Sequence, residues 1–405
     1  MEEFEKNWTV ALLSFLGVAF SIQSIPFYSF GIIAPHIAKE WGWSMSDVIF
    51  GITIVMFSLV PLPPLIGLLA DRIGTRAVVL VSAVVFGVSL FGLAVIPPSR
   101  PLYYGLWVVM AIGGAGTSPM VWARYVSRFF TVHTGLAIGI AVTGAGVFGT
   151  VVKPILTTFV LHHGWRPGMM MLGALSLVIV PLGLLTFRDD SADAGAAAAG
   201  SPHGPDGVTL QEASRTRRFA TLAFVGFVAN MCLAGLLPQI ENLLSSYRFA
   251  ETAVATITPV LGLSVIAGRL FGGAVQDRFW APGVGFCFFA ISAIGMVIFA
   301  FGIGSVASGR IALGLVGLSG GMEYVLLPYC VARYFGVAHH GAIYGAIYAI
   351  MSLGGALGTV LYSRCADLTG SYQIALIGAA SLLSAIALLL LTLGRYRTSV
   401  EAKQA

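Results

Sequence analysis

"GLLADRIGTR", residues 67–76, follows a long apolar run and places one aspartate and two arginines within ten residues. A second stretch, "GAVQDRF" at 273–279, repeats its Gly-x-x-x-Asp-Arg spacing. Similar echoes link "ARY" at 123–125 with 332–334, "GTVV" at 149–152 with "GTVL" at 358–361, and Gly164 with Gly370. Because these matches share nearly one offset, they predict that the chain consists of two duplicated halves.

The composition is that of a polytopic membrane protein. Apolar residues make up 57% of the chain and charged residues 10%, whereas soluble domains carry about 25% charged residues. Runs of roughly 20 apolar residues can cross a bilayer as helices. Twelve such runs are predicted, at about 9–33, 46–70, 77–96, 102–126, 134–161, 166–187, 218–240, 252–275, 283–304, 308–331, 341–363 and 371–394. The expected fold class is all-α, with twelve transmembrane helices arranged as two six-helix halves.

The longest polar break, Phe187 to Arg218, divides six runs from six. It predicts an N-terminal half at 1–187, a cytoplasmic linker at 188–217 and a C-terminal half at 218–405. The end of the linker, "GVTLQEASRTRRF" (207–219), is interpreted as an amphipathic segment at the membrane interface. Repeated halves of this kind place a substrate site near the bilayer midplane and rock around it in alternating access.

The distribution of basic residues predicts the orientation. Of the 22 Lys and Arg residues, fourteen fall in segments on the side of the N-terminus, six on the opposite side, and Lys153 and Arg269 inside spans. This bias predicts that both termini face the cytoplasm and that the protein lies in the cytoplasmic membrane. The net charge of +5 is therefore a topology signal, and no nucleic-acid partner is expected.

The stretch at 67–76 resembles the signature loop of the major facilitator superfamily, and 273–279 resembles its weaker copy. The physical interpretation is a gate on the cytoplasmic side, in which charge-assisted bonds to carboxylates and helix ends hold the inner side closed. The alternative is that the arginines only anchor the topology. The residues assigned to the gate are Gly67, Asp71, Arg72, Arg76, Asp277 and Arg278.

Four further segments resemble the monocarboxylate porters and their oxalate:formate relatives. They are "SFGIIAPHIAKEWGWS" (29–44), "SRFFTVHTGLAIGIAVTGAGVFG" (127–149), "GVTLQEASRTRRF" (207–219) and "ARYFGVAHHGAIYG" (332–345). The resemblance implies a secondary carrier of a small organic anion. The superfamily likeness also implies a functional monomer.

Arg269 is a permanent charge inside the eighth run. It lies eight residues before Asp277, and so roughly 12 Å above the cytoplasmic edge of the span. Charges at such depth face a cavity or a partner and mark transport pathways. The resemblance implies that this arginine binds the substrate carboxylate, to which a planar guanidinium is suited. The alternative is a structural ion pair with no substrate role.

Glu323 is the second buried charge, roughly 15 Å above the same edge because it lies ten residues before Arg333. A desolvated carboxyl group can carry a proton. One hypothesis is that Glu323 balances Arg269 in the empty carrier, so that substrate and proton arrive together. A packing role for Glu323 is the alternative. Animal monocarboxylate porters often carry an aspartate four residues before the arginine, a position that is Val265 here.

Five other side chains are candidates for substrate contacts. Tyr28 and Tyr324 match aromatic positions that line the site in oxalate-type relatives, and both residues could instead be core packing. Thr117 and Ser118 either bond substrate or back-bond within their helix. Tyr348 is the last member of this group.

The sequence favours a monocarboxylate. Oxalate-type exchangers hold a second cation in the eleventh span, where this chain has "GAIYGAIYAIMSLGGALG" with Met351 near that place. Proton symport is the preferred mechanism, with carboxylate exchange and, less favoured, export of drugs or metabolites as alternatives. A pore, a membrane sensor and an intramembrane enzyme are more distant. No nucleotide-binding loop, catalytic set or metal-ligand pattern stands out, and no cofactor is expected.

Overall fold

The computed structural model describes residues 2–58, 60–187, 207–247, 257–301 and 305–396, and these ranges contain helices and no strands. The first α-helices are α1 Glu2–Ala19, α2 Ile25–Trp41, α3 Met45–Ser58, α4 Leu62–Ile73, α5 Thr75–Val95, α6 Arg100–Gly114 and α7 Pro119–Phe129. Next come α8 Thr134–Val147, α9 Lys153–His163, α10 Trp165–Leu177, α11 Ile179–Thr186, α12 Leu210–Ser214 and α13 Arg217–Leu233. The last are α14 Ile240–Ser246, α15 Pro259–Arg278, α16 Ala281–Ala300, α17 Val306–Phe335, α18 His340–Thr369 and α19 Gln373–Leu390. A π-helix, Phe148–Val152, joins α8 to α9.

Ten helical segments in the described ranges are long and apolar enough to cross a membrane, and an eleventh counts if the bent pair α3 and α4 is one span. This confirms an all-α polytopic protein. Of the predicted linker, 188–206 lies outside the described residues. The remainder contains α12, which begins with a capping box between Thr209 and Glu212.

The first predicted run is broken in the middle, between α1 and α2. Pro26 at the start of α2 cannot continue a helix from the preceding turn. Backbone groups exposed by such a break need partners, because lipid supplies none. The hydroxyl of Ser24 donates to the carbonyl of Val18 over 2.6 Å, and the amide of Ile22 donates to the hydroxyl of Thr117 over 3.0 Å. These side chains make the break tolerable inside an apolar span.

The chain forms two compact units. The first comprises Met1–Phe130, Ile140–Gly207 and Gly336–Gly345, and the second comprises Thr131–Gly139, Val208–Phe335 and Ala346–Ala405. Each unit thus includes a short segment from the other half of the sequence, and each short segment contains the start of a long helix, α8 or α18.

The core of the first unit is rich in aromatic rings. Phe30, Phe86, Trp107 and Trp165 belong to one buried cluster, and the rings of Phe30 and Trp107 meet edge to face with centroids 4.9 Å apart. Such rings bury large apolar areas and fix the angles between the helices that carry them.

The second unit is organised around the close pairing of α15 with α17. A Cβ at Gly268 would overlap the carbonyl oxygen of Leu318, and one at Gly321 would overlap that of Val265. Small residues of this kind allow helical backbones to approach closely where no hydrophobic driving force acts between helices. The pairing places Arg269, next to Gly268, beside the face of α17 that carries Tyr324.

We expect Gly321→Ala to lower the free energy of unfolding by about 1–3 kcal/mol, because the new methyl group meets rigid backbone. The matched control is Gly320→Ala on the same helix, where a Cβ would have no neighbour within 4 Å. Thermal unfolding of the detergent-solubilised protein measures both. Equal effects would show that the close helix pairing does not depend on Gly321.

Gly164 and Gly370, which are matched in the repeat, both follow the end of a helix and have positive φ, +86° at Gly164 and +68° at Gly370. Only glycine adopts this conformation without steric cost. The turns that follow differ in length, because α10 begins directly after Gly164 whereas α19 begins three residues after Gly370.

Candidate functional site

Arg269, the charged residue in the middle of α15, lies against an aromatic ring of α17. Its guanidinium carbon is 6.0 Å from the ring centroid of Tyr324, within the range of a cation–π contact. Arg269 and Tyr324 are both half-buried, so each is partly shielded from its surroundings and still accessible to a ligand. We call these two residues, with Asn230, Glu323 and Tyr348 described below, the Arg269 cluster.

Glu323 is adjacent to Tyr324 in sequence and is 1% exposed. Its Oε1 accepts a hydrogen bond from the side-chain amide of Asn230 over 3.2 Å, and its Oε2 is buried without a hydrogen bond from any described residue. A carboxylate with so little compensation is costly to keep ionised away from water. The site therefore suits a carboxyl group that binds and releases a proton.

No salt bridge joins Glu323 to a described residue. Asn230 is the only described side chain that forms a hydrogen bond with Glu323. Consecutive residues of an α-helix point about 100° apart. Since Tyr324 faces Arg269, Glu323 is directed away from it, toward α13.

Asn230 is the member of the cluster that the sequence analysis missed. It is 4% exposed in the apolar helix α13, and its amide also donates to the hydroxyl of Tyr324 over 3.1 Å. A lone asparagine within "GFVANMCLAG" was the available signal. Tyr348 of α18 completes the cluster, with its ring centroid 6.4 Å from that of Tyr324.

The other candidate substrate contacts lie in the first unit. Tyr28 is 38% exposed, and its ring packs against Gly149 at the π-helix and lies near Phe148. The hydroxyl of Thr117 is used within the fold, accepting from Ile22 and donating to the carbonyl of Gly114 over 2.8 Å. Ser118 is buried and extended before the first turn of α7.

Asp71 of the signature loop caps the start of α18. Its two carboxylate oxygens accept from the backbone amides of Gly341 and Ala342 over 3.1 and 2.7 Å. Arg124 lies beside it, with Nε 2.7 Å from Oδ1, and this ion pair is almost fully buried. Arg124 also donates to the hydroxyl of Thr75. A carboxylate at a helix N-terminus is favoured by the free amides and the helix dipole.

Asp277 makes the equivalent contact in the second unit. Its oxygens accept from the amides of Gly135 and Leu136, at the start of α8, over 2.7 and 2.9 Å. A Cβ at Gly67 would overlap the carbonyl oxygen of Gly341, and one at Gly273 would overlap that of Gly135. The glycines of the two copies of the motif therefore allow the capped helices to come close.

The motif arginines lie outside these two caps. Arg72 and Arg278 are exposed, and Arg76 lies 3.5 Å from the carbonyl of Leu184. The cation that pairs with Asp71 is Arg124, which the sequence analysis had noted only within the repeated "ARY". Its counterpart in the repeat, Arg333, donates to the carbonyl of Thr131 instead.

We expect Asp71→Asn to destabilise the protein by about 3 kcal/mol or more, because Arg124 would stay buried without its counter-charge. The matched control is Asp277→Asn, for which we expect about 1 kcal/mol, because Asp277 forms no salt bridge with a described residue. Thermal unfolding in detergent compares them. An equal or larger loss for Asp277→Asn would contradict this ranking.

Comparisons with known proteins identify the family of the chain. Residues 11–359 match the sequence profile described as Major Facilitator Superfamily. The chain belongs to this superfamily. Its members are transporters rather than enzymes, so the chain is a multi-pass membrane transporter.

Individual relatives are distant. The chain is 28% identical over 376 residues to an uncharacterized 38 kDa protein of Thermoproteus tenax, covering 92% of both. It is 26% identical over 387 residues to monocarboxylate transporter 11 of Mus musculus, covering 91% of this chain and 83% of that one. The fold is similar to that of the E. coli fucose:proton symporter FucP, with a TM-score of 0.74 and 14% identity over 96% of this chain and 98% of that one.

Proposed function

We propose that this chain is a secondary carrier of a small organic monocarboxylate in the cytoplasmic membrane, acting as a monomer by proton symport. The observation that carries the proposal is the position of Arg269, a permanent cation inside a span with its guanidinium beside the ring of Tyr324. An arginine fork binds a carboxylate bidentately, and a tyrosine supplies an apolar wall with a hydroxyl donor. The likeness to a monocarboxylate transporter supports this reading.

A single carboxylate suits the cluster better than two. Met351, near the place of the second cation in oxalate-type exchangers, is 1% exposed and packs against Gly226. A second carboxylate reaching this part of α18 would enter apolar surroundings without a counter-charge, which is costly. We therefore expect dicarboxylates to be poor substrates.

Proton and substrate are coupled through charge in this proposal. The bonds of Asn230 keep the hydroxyl of Tyr324 within about 6 Å of the carboxyl of Glu323. A substrate carboxylate bound to that hydroxyl would lie within about 9 Å of Glu323, where two negative charges repel by roughly 2 kcal/mol at an effective dielectric constant of about 20. Protonation of Glu323 removes this repulsion and favours binding by roughly 20-fold.

We assign the two capping carboxylates to a gate on the cytoplasmic side. Asp71 joins α4 to the start of α18, and Asp277 joins α15 to the start of α8. Each bond links one half of the sequence to the other within one unit, so in this proposal each must break before the segments that it joins can separate. The assignment to the cytoplasmic side rests on the distribution of basic residues.

Ligand-dependent thermal stabilisation tests the substrate class. A panel of small acids is compared with the amide and the dicarboxylate of the same skeleton, using the purified parent protein. We expect one or more monocarboxylates to raise the melting temperature while the matched amides do not, because only the ionised group engages Arg269. Stabilisation by amides or by organic cations would contradict the carboxylate assignment and favour the export alternative.

A further inference from the structure

The side-chain amide of Asn230 bridges two functional groups that do not contact each other directly. Its Nδ2 lies 3.2 Å from Oε1 of Glu323 and 3.1 Å from the hydroxyl of Tyr324. An asparagine amide carries two hydrogens, so one can be given to each partner. The amide is therefore a direct connection between the proposed proton site and the proposed substrate site.

The bridge is needed because of the geometry of α17. Glu323 and Tyr324 are consecutive, so they leave the helix about 100° apart and cannot exchange a side-chain bond along one face. Asn230 comes from a different helix, α13, and reaches both. A Cβ at Gly355 of α18 would overlap its Oδ1, so the close approach of α18 fixes the amide in place.

Among the described residues, few other ionisable groups surround Glu323. Cys232 lies on α13 and interacts electrostatically with Glu323. From α15 Arg269 is in contact with Tyr324, the neighbour of Glu323, and from α18 Tyr348 approaches the same ring. None of these side chains forms a hydrogen bond with Glu323. Asn230 is therefore the described residue through which the charge of Glu323 can affect the hydrogen bonds of the cluster.

We propose that Asn230 is a positioning residue that couples the proton on Glu323 to substrate binding by Tyr324 and Arg269. A hydrogen bond to an ionised carboxylate is about twice as strong as one to a neutral group, so ionised Glu323 holds the amide most tightly. Protonation weakens that bond and lets the amide donate more fully to the hydroxyl of Tyr324. The hydroxyl then donates its own proton more strongly to the substrate, since linked hydrogen bonds polarise one another.

This inference rests on the proposed function, and its test is the pH profile of KM for the transported monocarboxylate in proteoliposomes, from about pH 5.5 to about pH 8. In the parent, KM is expected to rise with pH as Glu323 loses its proton. In Asn230→Leu, an apolar residue of similar size, we expect KM at acid pH to rise roughly tenfold. We expect the pH dependence to flatten in part, down to the share that direct charge repulsion between Glu323 and the substrate supplies. A change confined to kcat would contradict a role in binding.

Tyr324→Phe is the second variant, because it keeps the ring over Arg269 and removes only the hydroxyl. We expect it to flatten the profile as Asn230→Leu does, and the double variant to add little, since both changes remove the same connection. The control is Asn7→Leu. Asn7 is a buried asparagine of the first unit whose amide donates to the carbonyl of Phe129, and its loss should leave the profile unchanged.

The outcomes separate the two proposals. A parent whose KM does not vary with pH would contradict proton symport itself, and the coupling role of Asn230 with it. A parent with the expected profile, together with an Asn230→Leu variant that folds and keeps that profile, would overturn the role of Asn230 alone. Additive effects in the double variant would also overturn it, because Asn230 and Tyr324 would then act independently.

Discussion

Arg269→Lys is expected to lower kcat/KM for monocarboxylate uptake by roughly 100-fold, an effect of about 3 kcal/mol. Lysine keeps the charge but replaces the planar fork by a compact ammonium group that cannot form the bidentate contact. It also loses the stacking of a flat guanidinium near the ring of Tyr324. The measurement is initial uptake of labelled substrate into proteoliposomes over a range of concentrations.

The matched control for this variant is Arg310→Lys, on α17, the helix that carries Tyr324. Arg310 is exposed near the start of that helix, and we expect normal uptake after its replacement. Normal uptake by Arg269→Lys would mean that Arg269 is a structural ion. The carboxylate assignment would then lose its main support.

Glu323→Gln is expected to abolish uptake driven by a pH gradient while sparing counterflow. Glutamine is a neutral isostere of the protonated acid, and it keeps an oxygen for the amide of Asn230. It cannot bind or release a proton, so the linkage between proton and substrate binding is removed. The ratio of internal to external substrate should fall to about 1 under an inward proton gradient, since no driving force is coupled to transport.

Counterflow is measured with internal unlabelled and external labelled substrate at equal pH on both sides. Glu5→Gln, at an exposed site near the N-terminus, controls for the loss of a carboxylate. Loss of both activities, or of neither, would remove Glu323 from the coupling mechanism. Retention of gradient-driven uptake would favour a different proton site or exchange as the native mode.

The fold was predictable because helices exposed to lipid require long apolar runs, and these are visible in the composition of the chain. Long apolar runs and the repeated motif led to an all-α protein of the correct superfamily. The break between α1 and α2 was not predictable from hydropathy, since residues 20–24 are stabilised by partners such as Thr117, far away in the sequence. The division of α3 from α4 does have a sequence signal, because Pro61 and Pro63 mark its place.

The charged residues of the candidate site could be predicted from the sequence, whereas the contacts between them could not. Arg269 and Glu323 are conspicuous in apolar runs, and residue counting placed them at similar depths. The neighbour toward which a side chain points depends on how its helix is rotated about its own axis. Counting residues to the next charged position does not reveal this rotation. For this reason the contacts of Asn230 with Glu323 and Tyr324 were missed, while the balance of charge between Arg269 and Glu323 stays a prediction.

Arg124 illustrates the same limit at the other candidate site. Its position within "ARY" indicated only a repeat, whereas in the fold it is buried against Asp71, 53 residues earlier in the chain. The repeated Arg333 interacts with the charge of Asp277 but forms no direct salt bridge with it, and it donates to the carbonyl of Thr131. Similar local sequences in the two halves therefore lead to different direct contacts.

The most direct test of the central claim is accumulation of a labelled monocarboxylate by proteoliposomes of the parent protein, acidic outside and neutral inside. The account predicts saturable uptake that raises the internal concentration above the external one and collapses when a protonophore removes the gradient. Uptake that does not saturate and only equilibrates would contradict a carrier and indicate a pore. Saturable exchange that ignores the gradient would contradict symport and leave a carboxylate exchanger.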